Sequence, residues 1–414
     1  MPLILLLFCL LFPATMRAAD EGDTLRRWGG GVQLHPATVI VMDRYQNKWM
    51  DPAPNFSIAA ELRHASLPAD SNVYDADYGY PVMGLGIKYS LNHRVKMHRL
   101  PDESWPHIEE VDYDSQMGNS LAFYGFFSRP FFRNRHWEAD YTFNLGVGYS
   151  HRKYDLHNNI DNELIGSRWL IYFGAGLHVA YQVDPEWNIR AGVEYWHLSN
   201  GAINRPNKGA NFIGPSLSVN YTPYYEASLS HSRRQHILHK PYLFVDITGG
   251  VGYRTLYEDW KHTQFELKPD EPGYRTDDFK HYFTYAFQGS LMCRYARRWA
   301  SGVEADVFYG PYASDVEAYD KRAGRDDKHS PWSLGLGVKH EAYYRRLKLS
   351  MSLGWYLYRE MGHTAKRSEQ PFYERIGVQY LFPRLNGMGV GFSVKAHMTK
   401  ADYTELVVSY PIRL

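Results

Sequence analysis

The sequence predicts an all-β fold, a transmembrane antiparallel β-barrel of the kind found in bacterial outer membranes. Three observations predict it. Apolar and polar residues alternate along most of the chain, long polar loops alternate with very short turns, and aromatic residues make up 16% of the 414 residues. A barrel strand needs an apolar residue only at every second position, so a mean hydropathy of −0.48 is compatible with this fold.

Residues 1–19 are predicted to be a signal peptide, because an apolar stretch is followed by small residues ending at Ala19. Cleavage near Ala19 is preferred to lipid attachment at Cys9, since Phe8 stands where a lipoprotein signal has a small residue. Cys293 is then the only cysteine of the mature chain, which excludes an internal disulfide.

The alternation is clear in residues 137–149. Successive side chains of a strand point to opposite faces, so a strand here has one apolar and one polar face. The apolar face has Trp137, Ala139, Tyr141, Phe143, Leu145, Val147 and Tyr149, and the other has Glu138, Asp140, Thr142, Asn144, Gly146 and Gly148. A soluble β-sandwich also alternates, but its strands are usually about 5–6 residues long.

About 16 segments of about 11–17 residues share this pattern. The predicted strands are 30–42, 55–67, 79–93, 119–132, 136–152, 167–184, 187–199 and 211–222, then 241–257, 280–297, 298–312, 331–345, 346–358, 371–383, 386–399 and 401–414. Short turns such as 133–135 and long loops such as 94–118 alternate between them. Outer-membrane barrels have short periplasmic turns and long outer loops, which predicts the same arrangement here.

Residues 223–240 break the alternation, because a long segment stands where a short turn is expected. This linker separates residues 20–222 from residues 241–414. The halves form either one barrel of about 16 strands or two tandem barrels of about eight, since an open sheet edge is not tolerated in lipid. The single barrel is the preferred expectation and the tandem pair the alternative.

The candidate chemistry lies in residues 197–211. His197 and Ser199 are two positions apart on a predicted strand and share its apolar face, which in a membrane barrel meets lipid. Asn211 has the apolar parity of the next strand, which would bring it beside His197. A serine hydroxyl becomes a nucleophile when a neighbouring base takes its proton. Glu194 has the opposite parity and is expected in the lumen.

The segment His-x-Ser-Asn followed by Pro-Asn-x-Gly resembles the active-site signature of the outer-membrane lipid A 3-O-deacylases, which are eight-stranded barrels. The resemblance implies that His197 is the general base and Ser199 the nucleophile. It implies that Asn200, Asn207 and the backbone near Gly201 help to form the oxyanion hole. The third family residue, a glutamate, falls on Asn211 here, which can orient the imidazole but supplies no charge.

Other clusters are interpreted as structural. His397 and Thr399 resemble the same motif in the second half, but their parity places them in the lumen. The linker histidines His231, His236 and His239 lack a fixed zinc spacing. No metal or organic cofactor is expected, and a net charge of +1 gives no reason to expect a nucleic-acid partner.

The sequence thus predicts a carboxylic ester hydrolase of the outer membrane that acts on lipid A of lipopolysaccharide. Two alternatives stay open: a non-catalytic pore or structural barrel with a vestigial site, and a surface protein that binds its ligand through long outer loops. The neutral residue at 211 is the main support for the non-catalytic alternative.

Overall fold

The computed structural model of the protein describes residues 26–70, 72–229, 239–398 and 400–414. Sixteen long antiparallel strands run through these residues. The first eight are β1 Trp28–Val39, β2 Asn55–Ala65, β3 Val82–Leu91, β4 Ser120–Arg133, β5 Trp137–Ser150, β6 Trp169–Gln182, β7 Trp187–Ser199 and β8 Ala210–Tyr221. The second eight are β9 Tyr242–Thr255, β10 His281–Ala296, β11 Trp299–Tyr309, β12 His329–Tyr344, β13 Leu347–Met361, β14 Phe372–Phe382, β15 Met388–His397 and β16 Lys400–Arg413. The predicted signal peptide lies outside the described residues.

The strands close into two separate barrels of eight. Gly30 of β1 pairs with Leu62 of β2 and with Tyr221 of β8, which closes the first half on itself. In the second half, β9 pairs with both β10 and β16. The preference for one 16-stranded barrel is therefore wrong, and the tandem alternative is confirmed. Each half has an even number of strands, so its first and last strands run antiparallel and can pair.

The faces of the strands follow the predicted parity. Large apolar side chains cover the outside of both barrels, among them Leu177 and Phe392. The lumens contain polar groups that bond to one another. Arg190 donates to both carboxylate oxygens of Asp140 at 3.0 and 2.6 Å, and Lys339 donates to Asp246 at 3.1 Å. An eight-stranded barrel is just wide enough for side chains to fill it, and these two are filled.

The remaining elements are short. The helices are Arg44–Asn47, Val73–Asp77, Tyr225–Ser228, Tyr257–Lys261 and Ala313–Arg322, with π-helical turns at His262–Glu266 and Thr364–Ser368 and 3₁₀ turns at Pro68–Asp70 and Pro383–Leu385. A small sheet joins Met50–Asp51, Lys96–Met97 and Ser115–Gln116 above the first barrel. Within the described part of the chain, no helix is both long and apolar enough to cross a membrane.

The two barrels lie side by side in the same orientation, with bonds between them at both ends. At the end with the short turns, Nη2 of Arg345 donates to Asp75 at 2.5 Å. At the end with the long loops, Nη2 of Arg275 donates to Asp161 at 2.6 Å. The contact at the loop end brings the second barrel next to the segment that carries the candidate chemistry.

Candidate active site

The candidate residues lie on the outer wall of the first barrel, where β7 and β8 end at the loops. His197 and Asn211 are directly paired across these strands. On the same face of β7, Ile189 and Val193 are 47% and 54% exposed, as expected for a wall that meets lipid. Glu194 points the other way and accepts from Lys88 Nζ at 3.2 Å in the lumen.

The Asn211 amide holds the imidazole in one tautomer. Its Oδ1 atom lies 2.8 Å from Nδ1 of His197 and also accepts from the hydroxyl of Tyr195 at 2.6 Å. An amide oxygen can only accept, so Nδ1 carries the hydrogen and Nε2 presents its lone pair. This is the tautomer that a general base acting through Nε2 requires. Tyr195 shares the parity of His197, but its contact with Asn211 was not anticipated from the sequence.

Ser199 lies beside the Nε2 edge of the ring. A Cβ placed on Gly209 would be 3.3 Å from Nε2 of His197 and 3.4 Å from Cβ of Ser199, so both groups border the same small space. Ser199 keeps 8% of its surface exposed. Among the described residues, no hydrogen bond joins its Oγ to Nε2. Such bonds are often formed only when substrate is bound.

Asparagine side chains brace the loop that follows Ser199. The backbone N–H of Asn200 donates to Oδ1 of Asn207 at 3.0 Å. The side-chain amide of Asn200 donates to the carbonyl of Asn204 at 3.1 Å, and Asn204 in turn donates to Gly166 at 3.0 Å. Asn200 and Asn207, which the resemblance assigns to the oxyanion hole, are thus also the residues that fix the shape of this loop.

Gly201 and Ala202 form a tight turn with φ values of +62° and +67°. Their carbonyls are held by the second barrel: Thr404 Oγ1 donates to Gly201 at 3.0 Å, and the N–H of Thr255 donates to Ala202 at 3.0 Å. Among the described residues, the N–H groups of Gly201 and Ala202 have no hydrogen-bond partner. Gly201 and Ala202 thus place two adjacent, buried backbone donors, unpaired within the described part of the chain, shortly after Ser199.

A second loop of the first barrel covers the end of this segment. The N–H of Lys208 donates to the carbonyl of Glu163 at 3.0 Å, and the N–H of Gly209 donates to the carbonyl of Leu164 at 3.0 Å. The ammonium of Lys208 lies 4.4 Å from the centre of the Tyr45 ring. Burial, together with the nearby charge of Lys400, lowers the pKa of Lys208 to about 8. Lys208 is thus a largely buried lysine in the segment that carries the candidate residues, and it was not among the predicted site residues.

The other predicted clusters have structural surroundings. His397 lies in the second lumen with Nε2 2.9 Å from the hydroxyl of Tyr356, while Thr399 lies outside the described residues. His239 contacts the carbonyl of Arg294 at 2.9 Å, and His231 and His236 are not described. In the described part of the chain, no cluster of His, Cys, Asp and Glu is arranged to hold a metal ion.

The fold and site define a class of protein: a membrane β-barrel with a histidine, a serine and an asparagine grouped on its outer wall. Residues 87–220 match the family model "Lipid A 3-O-deacylase (PagL)", and residues 243–414 match "Acyloxyacyl hydrolase, C-terminal domain". Both halves of the chain therefore carry domains of the lipid A 3-O-deacylase, or acyloxyacyl hydrolase-like, family, and the chain is an outer-membrane protein. The resemblance stated from residues 197–211 is confirmed at this level.

Solved structures of outer-membrane barrels also match. The crystal structure of the outer membrane enzyme PagL has 14% identity and a TM-score of 0.28, covering 47% of this chain and 98% of that one. The Pseudomonas putida toluene transporter TodX has 10% identity and a TM-score of 0.18, covering 97% and 91%. Pseudomonas aeruginosa OccK11 (OpdR) has 9% identity and a TM-score of 0.18, covering 94% and 96%. TM-scores this low support no inference about this chain. No curated protein matches it by sequence.

Proposed function

We propose that this protein is a serine esterase of the outer membrane that removes an ester-linked acyl chain from lipid A. The observation that carries the proposal is the group formed by His197, Ser199 and Asn211 on the lipid-facing wall, with Nδ1 of the imidazole 2.8 Å from the amide oxygen. The match of both halves to lipid A deacylase and acyloxyacyl hydrolase models supports the substrate class.

In the proposed reaction, Oγ of Ser199 attacks the acyl carbonyl while Nε2 of His197 takes the hydroxyl proton. Asn211 keeps the ring in the required tautomer. The negative oxygen of the tetrahedral intermediate accepts from the backbone N–H groups of Gly201 and Ala202, and each such donor is commonly worth about 3–4 kcal/mol. The carbon–oxygen bond to the sugar or hydroxyacyl group then breaks, and His197 returns the proton to the leaving oxygen.

Water completes the cycle by attacking the acyl group on Ser199. His197 takes a proton from this water and returns it to the serine oxygen as the fatty acid leaves. The proposed reaction uses only these side chains and backbone donors. A phosphorylated glycolipid also suits the surroundings, because lipid A phosphates are anionic and Lys208, which precedes Gly209 in the chain, carries a positive charge.

The test is release of fatty acid from purified lipopolysaccharide by the folded wild-type protein and by Ser199→Ala. We expect the variant to lose activity by about a thousandfold or more. Folding of each barrel is checked by heat-dependent gel mobility. Unchanged release by Ser199→Ala would contradict the assignment of the nucleophile.

Ser301→Ala is the matched control. Ser301 is likewise a lipid-facing serine beside a histidine: it lies on the outer wall of the second barrel, with Oγ 2.9 Å from Nδ1 of His340. It lies within a paired strand, between Cys293 and His340, and has no oxyanion turn beside it. We expect its removal to leave fatty-acid release unchanged.

The first alternative, a pore, is disfavoured because side chains fill both lumens. Lys88, Tyr172 and Trp196 fill the first lumen as fully buried side chains, and Arg375 bonds to Asp306 at 2.9 Å in the second. Conductance in planar bilayers together with unchanged lipid A by mass spectrometry would nevertheless favour a pore. Ligand binding by both the wild-type protein and Ser199→Ala, with no fatty-acid release by either, would favour a surface binding protein.

A further inference from the structure

The second barrel contacts the first at the turn that follows Ser199. Thr404 lies on the outer wall of β16, where Leu406 and Val408 further along the same face are 49% and 44% exposed. Thr404 itself is half-buried, because its hydroxyl donates to the carbonyl of Gly201 at 3.0 Å. A Cβ on Gly201 would lie 2.0 Å from this hydroxyl oxygen, so the approach requires a glycine.

A second bond holds the next peptide of the same turn. The fully buried Thr255, the last residue of β9, donates its N–H to the carbonyl of Ala202 at 3.0 Å, and its hydroxyl donates to the same oxygen at 3.3 Å. Two neighbouring strands of the second barrel, β9 and β16, therefore fix two successive peptides of the first barrel.

The orientation of the Gly201–Ala202 peptide sets the direction in which the unpaired N–H of Ala202 points. In a planar trans peptide the carbonyl and the following N–H point in opposite directions. Because the carbonyl of Gly201 points at Thr404, the N–H of Ala202 in the same peptide points away from Thr404. The positive φ values at Gly201 and Ala202 are conformations that cost free energy outside glycine and need surrounding contacts to persist.

We infer that the second barrel is a positioning element of the active site: Thr404 and Thr255 hold the turn so that the backbone donors of Gly201 and Ala202 face the oxyanion. The inference rests on the proposed function. It gives residues 243–414 a role in catalysis although their own lumen is filled. Thr404 and Thr255 touch neither substrate nor Ser199 in this role.

The experiment measures kcat and KM for fatty-acid release by Thr404→Val and Thr404→Ser in the full-length, folded protein. Valine keeps the shape of threonine and removes the donor, whereas serine keeps the donor. A donor that acts on the transition state changes kcat more than KM. We expect Thr404→Val to lower kcat by about fivefold to tenfold with little change in KM, and Thr404→Ser to restore it.

Thr248→Val is the matched control. Thr248 is also buried in β9 of the second barrel, but its hydroxyl has no partner among the described residues. It should keep wild-type kcat and KM. Thr255→Val removes only the weaker hydroxyl bond to Ala202 and should lower kcat by about twofold to threefold. If Thr404→Val lacks the heat-dependent gel mobility of a folded barrel, Thr255→Val is the variant that tests the inference.

The outcomes separate this inference from the proposed function. Wild-type protein that releases no more fatty acid than Ser199→Ala contradicts the proposed function itself. The positioning role alone would be overturned if the wild type is active, Ser199→Ala is inactive, and Thr404→Val keeps the wild-type kcat and KM. An equal loss in Thr404→Val and Thr404→Ser would also overturn it, because serine retains the hydroxyl.

Discussion

Oδ1 of Asn211 lies 2.8 Å from Nδ1 of His197, at the position where the resemblance implies a glutamate. The amide fixes the tautomer as a carboxylate does, and the hydroxyl of Tyr195 fixes the amide in turn. What the amide lacks is the negative charge that stabilises the imidazolium formed during catalysis. In the proposed reaction, the orientation of the base is therefore provided without the electrostatic support of a carboxylate.

Asn211→Glu should supply the missing charge. Because the carboxylate stabilises the cationic ring in the transition state, we expect kcat for fatty-acid release to rise by about tenfold. Asn211→Gln is the control, since it adds the same length without charge and should not exceed the wild-type rate. An Asn211→Glu protein that folds but is no faster than Asn211→Gln would show that charge is not the limiting factor.

Gly209→Ala should disrupt the space between base and nucleophile. The added methyl would lie 2.6 Å from Cε1 of His197, at a residue with φ of +73°. The ring must move to make room, so we expect kcat to fall by at least about tenfold. Gly324 has a similar φ of +68° with nothing within 4 Å. Gly324→Ala therefore imposes the backbone strain alone, and an equal loss of activity in both variants would refute the explanation.

The charge of Lys208 should make substrate binding pH-dependent. Burial, with the nearby charge of Lys400, lowers the pKa of Lys208 from 10.5 to about 8. In the folded protein the side chain is thus cationic below about pH 8 and becomes neutral above it, where an exposed lysine is still charged. If the cation attracts substrate phosphate, KM should rise by about threefold between about pH 7 and about pH 9.

Lys208→Met removes this charge at every pH. We expect its KM to be high at both ends of the same range and to change little between them. Lipid A stripped of its phosphates is the control substrate, and its KM should be insensitive to both the variant and the pH. A parallel rise of KM in wild type and Lys208→Met would assign the pH effect to another group.

Much of the fold was predictable because the signal is local. Side chains alternate between two environments along each strand, and all sixteen predicted strands lie within three residues of those in the structure, as β7 at Trp187–Ser199 shows. The same alternation placed His197 outside and Glu194 inside. The closure was not predictable, since whether β8 pairs with β1 or with β9 depends on hydrogen bonds between residues far apart in the chain.

The candidate site also has features that the local sequence predicts and features that depend on tertiary contacts. The order of residues 197–211 determined by itself that a histidine, a serine and an asparagine share one lipid-facing surface, because β7 and β8 are consecutive strands that pair with each other. Only the tertiary structure decided that Thr404 and Thr255 reach Gly201 and Ala202. Side-chain direction along a strand is fixed by backbone geometry, whereas contact between two barrels depends on how their closed walls pack, and no short-range pattern encodes that.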